Sequence, residues 1–246
     1  MQQWQDSYLE RYYRSKPRWF DGTTEFHLLC QKYIQSDWSI LELGAGPSNQ
    51  TSKWLSAISG KLLGLDIDPA VKENKFLAEA YVADARHIPL AESSVEAVVS
   101  NYVNEHLGDP TSVCKEIHRI LVQGGYFIFR TPNIFHYVAL AGKLAPFSLT
   151  KIIANPLRSL PEEAHDPYPT FYRFNSKQRC QSLLRKTGFE IIEMYMVEKE
   201  PSYGMYSRLL FIPMMWYERM VNSAEIFNGL RANIFCVAQK AGPIHE

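Results

Sequence analysis

Ile40-Leu41-Glu42-Leu43-Gly44-Ala45-Gly46-Pro47-Ser48 decides the fold of this chain. An apolar strand runs into an acidic residue, two glycines follow two apart, and a helix is expected to begin near residues 49–51. Glycine lets the backbone turn sharply and admits a ligand where a Cβ would clash. Asp66 closes the next apolar run, 20 residues beyond Gly46. From that place a carboxylate accepts hydrogen bonds from both hydroxyls of a ribose. Asp84 follows the third run. Ending strands is the simpler use of both aspartates, but their joint placement favours a nucleoside.

Outward from this stretch, short apolar runs alternate with helix-like or turn-rich segments. They are Ser39–Leu43 (SILEL), 61–67 (KLLGLDI), 80–83 (AYVA), 95–100 (VEAVVS) and 126–130 (YFIFR). Such nearly continuous apolar runs suit strands covered on both faces of a parallel sheet. Between the last two lies the clearest helix: Asp109 caps it, Pro110 suits its first turn, and Val113, Ile117, Ile120 and Leu121 recur at helical spacing. Gly124 and Gly125 are expected to stop it. The alternation predicts an α/β fold, a doubly wound Rossmann-like sheet.

The second half differs. Residues 134–172 are apolar but punctuated by Gly142, Pro146, Pro156, Pro161, Pro167 and Pro169, a pattern of short helices and loops. Residues 175–187 look helical, with Gly188 as the stop. Residues 189–197 and 232–239 look like strands, separated by an apolar stretch broken at Pro213. The expected organisation is a single domain over 1–246. It has an N-terminal helical extension or lid (1–37), a cofactor-binding core (38–133), an acceptor-side insertion after the fifth strand (134–174) and the C-terminal part of the sheet (175–246).

Composition bounds the function. The chain has 246 residues, of which 46% are hydrophobic and 21% charged, the balance of an ordinary folded protein. Lys and Arg number 26 and Asp and Glu 26, which argues against a general nucleic-acid binder. Cys30, Cys114, Cys180 and Cys236 are spaced for neither a metal cage nor a disulfide framework. No signal peptide or spanning segment is visible. The expected compartment is cytoplasmic.

The glycine turn admits two nucleotide ligands. A dinucleotide fingerprint needs a third glycine, and Asn49 stands in its place. Pyrophosphate also favours a cationic helix start, whereas Glu42 offers an anion. A carboxylate there suits a ligand with positive charge, and S-adenosyl-L-methionine carries a sulfonium and an ammonium.

The stretches LELGAGPS, GLDIDP, VADARHIPLAESSVEAVVSN, NEHLGDP and HRILVQGGYFIFRTPN resemble, in order and spacing, the motifs of class I S-adenosylmethionine-dependent methyltransferases. They are most similar to the type-11 group, which includes ubiquinone-biosynthesis enzymes. The resemblance covers residues 38–133 and, more loosely, 175–197. It implies a seven-stranded sheet with an antiparallel last strand, for which 232–239 is the candidate. It also implies that Glu42, Gly44 and Gly46 cradle the methionine part of the cofactor and that Asp66 holds the ribose. Ile67 would pack on the adenine, Asp84 accept from its amino group, and Ala85 offer a backbone contact. Asn101 would face the methionine end, or serve only as a polar loop residue. Relatives often carry glycine where Ser48 stands, and its hydroxyl is a candidate cap for the next helix. Asp68, before Pro69, suits a turn or cap better than a ligand.

For catalysis, His106 is the first candidate base and Glu105 its neighbour, just after the fourth strand. Orienting a loop is the other use of that histidine. Some relatives hold a divalent metal with Glu-x-x-Glu-His here, but Tyr102 occupies the first Glu position, so no metal is expected. His136 and His165 rank lower, as surface or loop histidines. The acceptor pocket is expected from Tyr12, Tyr13, Trp19 and Phe20, interleaved with Arg11, Arg14, Lys16 and Arg18, and from 166–174 (DPYPTFYRF). The same aromatics would equally serve to pack the extension. Two apolar stretches, 137–149 and 209–221 (LLFIPMMWYERMV), suit a lipid groove or peripheral membrane contact, or burial against the sheet. The function that follows is S-adenosylmethionine-dependent methylation, O-directed, of a small-molecule, sugar or lipid-linked acceptor. The alternatives are a non-catalytic interaction subunit of the same fold and a nicotinamide-dependent oxidoreductase.

Overall fold

The computed structural model describes residues 3–17, 19–144, 168–201, 204 and 207–242. His165, Arg18 and residues 145–167 of the insertion lie outside the described residues. Seven strands form one sheet among the described residues: β1 (Ser39–Leu43), β2 (Lys61–Asp66), β3 (Glu79–Val82), β4 (Val95–Asn101), β5 (Leu121–Pro132), β6 (Phe189–Val197) and β7 (Asn233–Lys240), in the order β3-β2-β1-β4-β5-β7-β6. β1 pairs in parallel with β2 and β4, β2 with β3, and β4 with β5. β7 is antiparallel to both neighbours. Near its end, Gln239 and Lys240 donate to the Gly124 and Leu121 carbonyls at the start of β5, and Ala241 N–H donates to Gly188 O at the start of β6.

Why these residues form these elements is local for most of the sheet. The last four residues of β1 are buried, as are Ala97, Val98, Val99 and Ser100 of β4, which is why their runs read as nearly continuous apolar sequence. Helix α4 (Pro110–Ile120) begins at Asp109, whose carboxylate accepts from the N–H groups of Thr111 and Ser112 at 3.2 Å. Helix α6 (Lys177–Lys186) is capped by Ser176. Asp68 accepts from Ala70 N–H at 2.8 Å and caps a short 3-10 turn at Pro69–Glu73, the role expected of it.

Two local expectations are corrected. Gly124 and Gly125 do not stop α4, which ends at Ile120; they lie inside β5. Val95 pairs with Leu121 but Ala97 with Tyr126, so the β5 side carries extra residues there. Gly124 absorbs this bulge with φ +78°. Helix α3 (Gln50–Ile58) is capped by Asn49 and not by Ser48: the Asn49 side chain accepts from Ser52 N–H at 2.8 Å.

The chain clusters into two compact units. One is drawn from Phe26–Pro132, Pro169–Tyr195 and Ile234–Glu246 and carries nearly all of the sheet. The other is drawn from Met1–Glu25, Asn133–Tyr168 and Met196–Asn233. It contains α1 (Gln3–Leu9), a π-helical turn Glu10–Arg14, α5 (Tyr137–Leu144) and α7 (Arg208–Ser223). Leu9, Tyr13, Phe211 and Met215 form its core, with Trp4, Tyr8, Tyr12 and Trp19 packed against them. Most N-terminal aromatics are therefore spent on packing α1 to α7. Helix α2 (Gly22–Tyr33) links the two groups of residues in sequence.

Because Asp109 satisfies two otherwise orphan N–H groups of α4, Asp109→Ala is expected to destabilise the protein by about 1 kcal/mol in chemical denaturation, without loss of secondary structure.

Candidate functional site

The carboxyl ends of β1, β2 and β4 converge on the glycine turn. Gly44 has φ +68°, and a Cβ there would stand 2.3 Å from Val103 Cγ2, so conformation and packing both demand glycine. Gly46 has φ +54°, and a Cβ there would meet nothing within 4 Å. Packing does not explain Gly46. Its left-handed backbone calls for glycine, and the open space beside it leaves room for the close approach of a ligand. Gly44 N–H donates to Leu65 O at 2.8 Å, tying the turn to β2.

Asp66 stands at the end of β2, half-buried. Its two carboxylate oxygens accept from Gly46 N–H and Asp68 N–H, each at 3.0 Å. It thus joins the two loops that would border a ribose, and each oxygen keeps a second lone pair. Ile67, next to it, is 56% exposed, an apolar side chain standing in solvent where the adenine is expected. Asp84 forms a two-point ion pair with Arg86, 2.7 Å at the shortest, which holds its carboxyl below the usual range. Ala85 is half-buried in the same loop.

Glu42 is the electrostatic centre of the site. It is 2% exposed. Asn49 Nδ2 donates to Oε1 at 3.3 Å, and Oε2 is buried with no hydrogen-bond partner. Burial pushes the carboxyl up to about 7; contacts with Ser52 and Asn49 oppose this only in part, and the Asp66 charge adds to it. No cation is among the groups acting on it. A carboxylate kept dry and short of partners is a receptor for positive charge.

Asn101 is brought to the same end of the sheet, but its amide is engaged. It donates to Thr51 Oγ1 at 2.9 Å and accepts from Arg130 Nε at 2.8 Å. Glu105 is buried in a 3-10 turn (Asn104–His106) after β4 and accepts from Thr131 Oγ1 at 3.3 Å. Its carbonyl takes the N–H groups of Phe171 and Tyr172, so the described part of the 166–174 segment docks beside it. His106 Nδ1 lies 3.1 Å from the carbonyl oxygen of Pro169, and Nε2 lies 3.9 Å from Glu105 Oε1. A carbonyl can only accept, so Nδ1 carries the proton and Nε2 is the basic nitrogen. Among the described residues no cluster of His, Cys, Asp and Glu could hold a metal ion.

Three groups escaped the sequence reading. Asn74, buried, donates to the carbonyls of Ala45 and Gly46 and to Ser52 Oγ, bracing the turn from outside. His27 stacks on Trp54 at 4.6 Å and lies 3.3 Å from Thr51 Oγ1. Arg130 is buried, with its guanidinium 4.2 Å from the ring centre of Tyr102, which itself has φ +59°. A charged residue closing the apolar run YFIFR was the available signal for Arg130. In the other unit, His136 is buried and not a surface histidine. Its Nε2 lies 3.5 Å from Glu198 Oε2; burial holds the imidazole down to about 4 and pushes the carboxyl up to about 8.

A methyltransferase-domain family model matches residues 41–129. A Mycolicibacterium smegmatis protein named "Probable S-adenosylmethionine-dependent methyltransferase" is 32% identical over 131 residues, 51% of this chain and 50% of that protein. The chain spans half the length of that relative and 30% of a second, from Streptomyces fradiae. Among solved structures, a chain of the complex between the Haloferax volcanii Trm112 methyltransferase activator and a methyltransferase superposes with TM-score 0.60 at 17% identity, covering 97% of this chain and 94% of that one. The [4+2]-cyclase SpnF superposes with TM-score 0.58 at 15% identity, covering 94% and 86%.

The Glu42 shift has a definite sign. Its folded value of about 7 lies above the ordinary 4.5, so the native state binds the proton more tightly. Stability is therefore lost as pH rises from 4.5, and the loss is complete above 7. Between pH 5 and 8 the melting temperature of the ligand-free protein should fall, and Glu42→Gln should flatten that fall by about 3 kcal/mol of linked stability.

Proposed function

We propose that this chain, which carries a class I S-adenosylmethionine-dependent methyltransferase domain of the type-11 group, methylates a hydroxyl oxygen of a small-molecule or lipid-linked acceptor. The observation that carries the reading is the dry, partner-poor Glu42 carboxylate beside a bare glycine turn. When bound, S-adenosyl-L-methionine supplies a methyl group already activated by the adjoining sulfonium.

The residues fit that cofactor. Glu42 offers an uncompensated anion to a cationic ligand, and Gly44 and Gly46 keep the backbone bare beside it. Asp66 has the lone pairs for two ribose hydroxyls, and the solvent-exposed Ile67 gains by covering an adenine face. Asp84 would turn from Arg86 to reach an amino group, or act through the backbone of its loop with Ala85. Asn101 is held by Thr51 and Arg130, so it acts by fixing the end of β4 as much as by direct contact.

A hydroxyl acceptor must lose its proton as it attacks. His106 would take it at Nε2, since Nδ1 is committed to Pro169. Glu105, 3.9 Å from Nε2, then stabilises the imidazolium. The chain's other contribution is orientation, worth several kcal/mol in an in-line displacement.

Two experiments test this. Calorimetry should show binding of S-adenosylhomocysteine and none of NADH, with Asp66→Asn weakening binding at least tenfold. Incubation with methyl-labelled cofactor and acceptors of each class should transfer label to a hydroxyl, and His106→Ala should lower kcat at least a hundredfold with cofactor affinity intact. Binding without transfer to any class would contradict catalysis and leave the non-catalytic subunit. NADH binding in place of the nucleoside would overturn both.

A further inference from the structure

Helix α7 turns an apolar face outward. At 100° per residue, Leu209, Pro213, Trp216 and Met220 fall within about 60° of arc, a stripe about 16 Å long. All four are exposed, Leu209 to 86% and Trp216 to 65%. Ile226, just beyond the helix, is 85% exposed, and Leu210 borders the stripe. The opposite face is already used, through Phe211, Met215 and Val221 in the core of its unit. A second apolar face on one helix has no part in that packing.

The charge pattern around the stripe identifies its occupant. The only acid within α7, Glu218, points inward, where it accepts from Tyr13 and Asn222. Arg208 and Arg219 both lie on one flank. Arg219 is engaged by Glu218 and the Tyr12 carbonyl. Arg208 is exposed, its guanidinium 5.7 Å from the Trp4 ring centre. Just past the helix, Glu225 beside Ile226 is exposed and is matched by Arg231 at 3.2 Å. Within the helix, acid withdrawn, cation at the flank and tryptophan at the centre match a helix lying in a bilayer interface, apolar face down. A second copy of this chain fits less well, because a stable dimer needs roughly 800 Å² per partner, and this stripe is one helix face wide. No helix among the described residues is long and apolar enough to cross a membrane, so the contact is superficial.

We infer that the outer face of α7 docks on the surface of an anionic lipid bilayer. The inference stands on the exposed stripe and is independent of methyl transfer. Flotation with vesicles of phosphatidylcholine alone, or mixed seven to three with phosphatidylglycerol, tests it on the full chain. The protein should float with the mixed vesicles and much less with the neutral ones. The double variant Leu209→Gln/Trp216→Gln should lose at least tenfold in partitioning and Arg208→Glu several-fold. Both variants alter exposed side chains, and an unchanged melting temperature shows that they fold. The inference is overturned if the wild type stays unfloated, if the double variant floats as well as the wild type, or if neutral vesicles serve equally. It is also overturned if, without vesicles, the wild type sediments as a dimer that the double variant dissociates, since a second copy then covers the stripe.

Discussion

A carboxylate at the carboxyl end of β1, an interior strand of the sheet, is shut away from water and given no cation. Glu42 is held there by β1, buried between β2 and β4. The groups that act on it are Ser52, Asn49 and the like-charged Asp66. Leaving such a group ionised costs about 3 kcal/mol, so near pH 7 the ligand-free protein keeps about half of it protonated. A ligand with fixed positive charge removes that cost by arriving. Much of the surrounding structure serves this one group. Asn74 and Asp66 brace the turn, Gly44 cannot accept a side chain, and Gly46 leaves the approach open.

Topology puts the turn where a ligand is reached. With strand order β3-β2-β1-β4-β5, the chain reverses its winding between β1 and β4, and helices leave opposite faces of the sheet there, opening a crevice at the carboxyl ends. Glu42, Gly44, Asp66, Asn101 and Glu105 all come from those ends. The same sheet also underlies a [4+2]-cyclase, so the fold alone does not select a reaction. On the proposed function, selection lies in side chains: an unmatched anion offered to the cofactor, and a histidine whose proton position is set by the Pro169 carbonyl. The second unit is built from segments before β1, between β5 and β6 and between β6 and β7, with an aromatic core of its own.

Legibility followed locality. Strands β1, β2 and β4 could be read because both faces are buried along most of their length and most positions there are apolar. The caps Asp68 and Asp109 could be read because a side chain bonds backbone only two or three residues away. The onset of β5 was missed because its glycines serve a bulge against β4, a pairing that no local pattern announces. Asn49 was weighed only as an absent glycine, although it caps α3 and touches Glu42. Asn74, 28 residues from the Gly46 carbonyl that it holds, gave no local sign. His136 looked like a loop residue because its burial depends on Glu198, 62 positions away.

Proton uptake or release on ligand binding tests the electrostatic claim most directly. Calorimetric titration of S-adenosyl-L-methionine near pH 7, in buffers of different ionisation enthalpy, gives the number of protons exchanged. With Glu42 titrating at about 7 in the free protein, binding a cation should drive off about half a proton per ligand, and Glu42→Gln should abolish that release. Binding with no proton released, or a release that survives the substitution, would contradict the account.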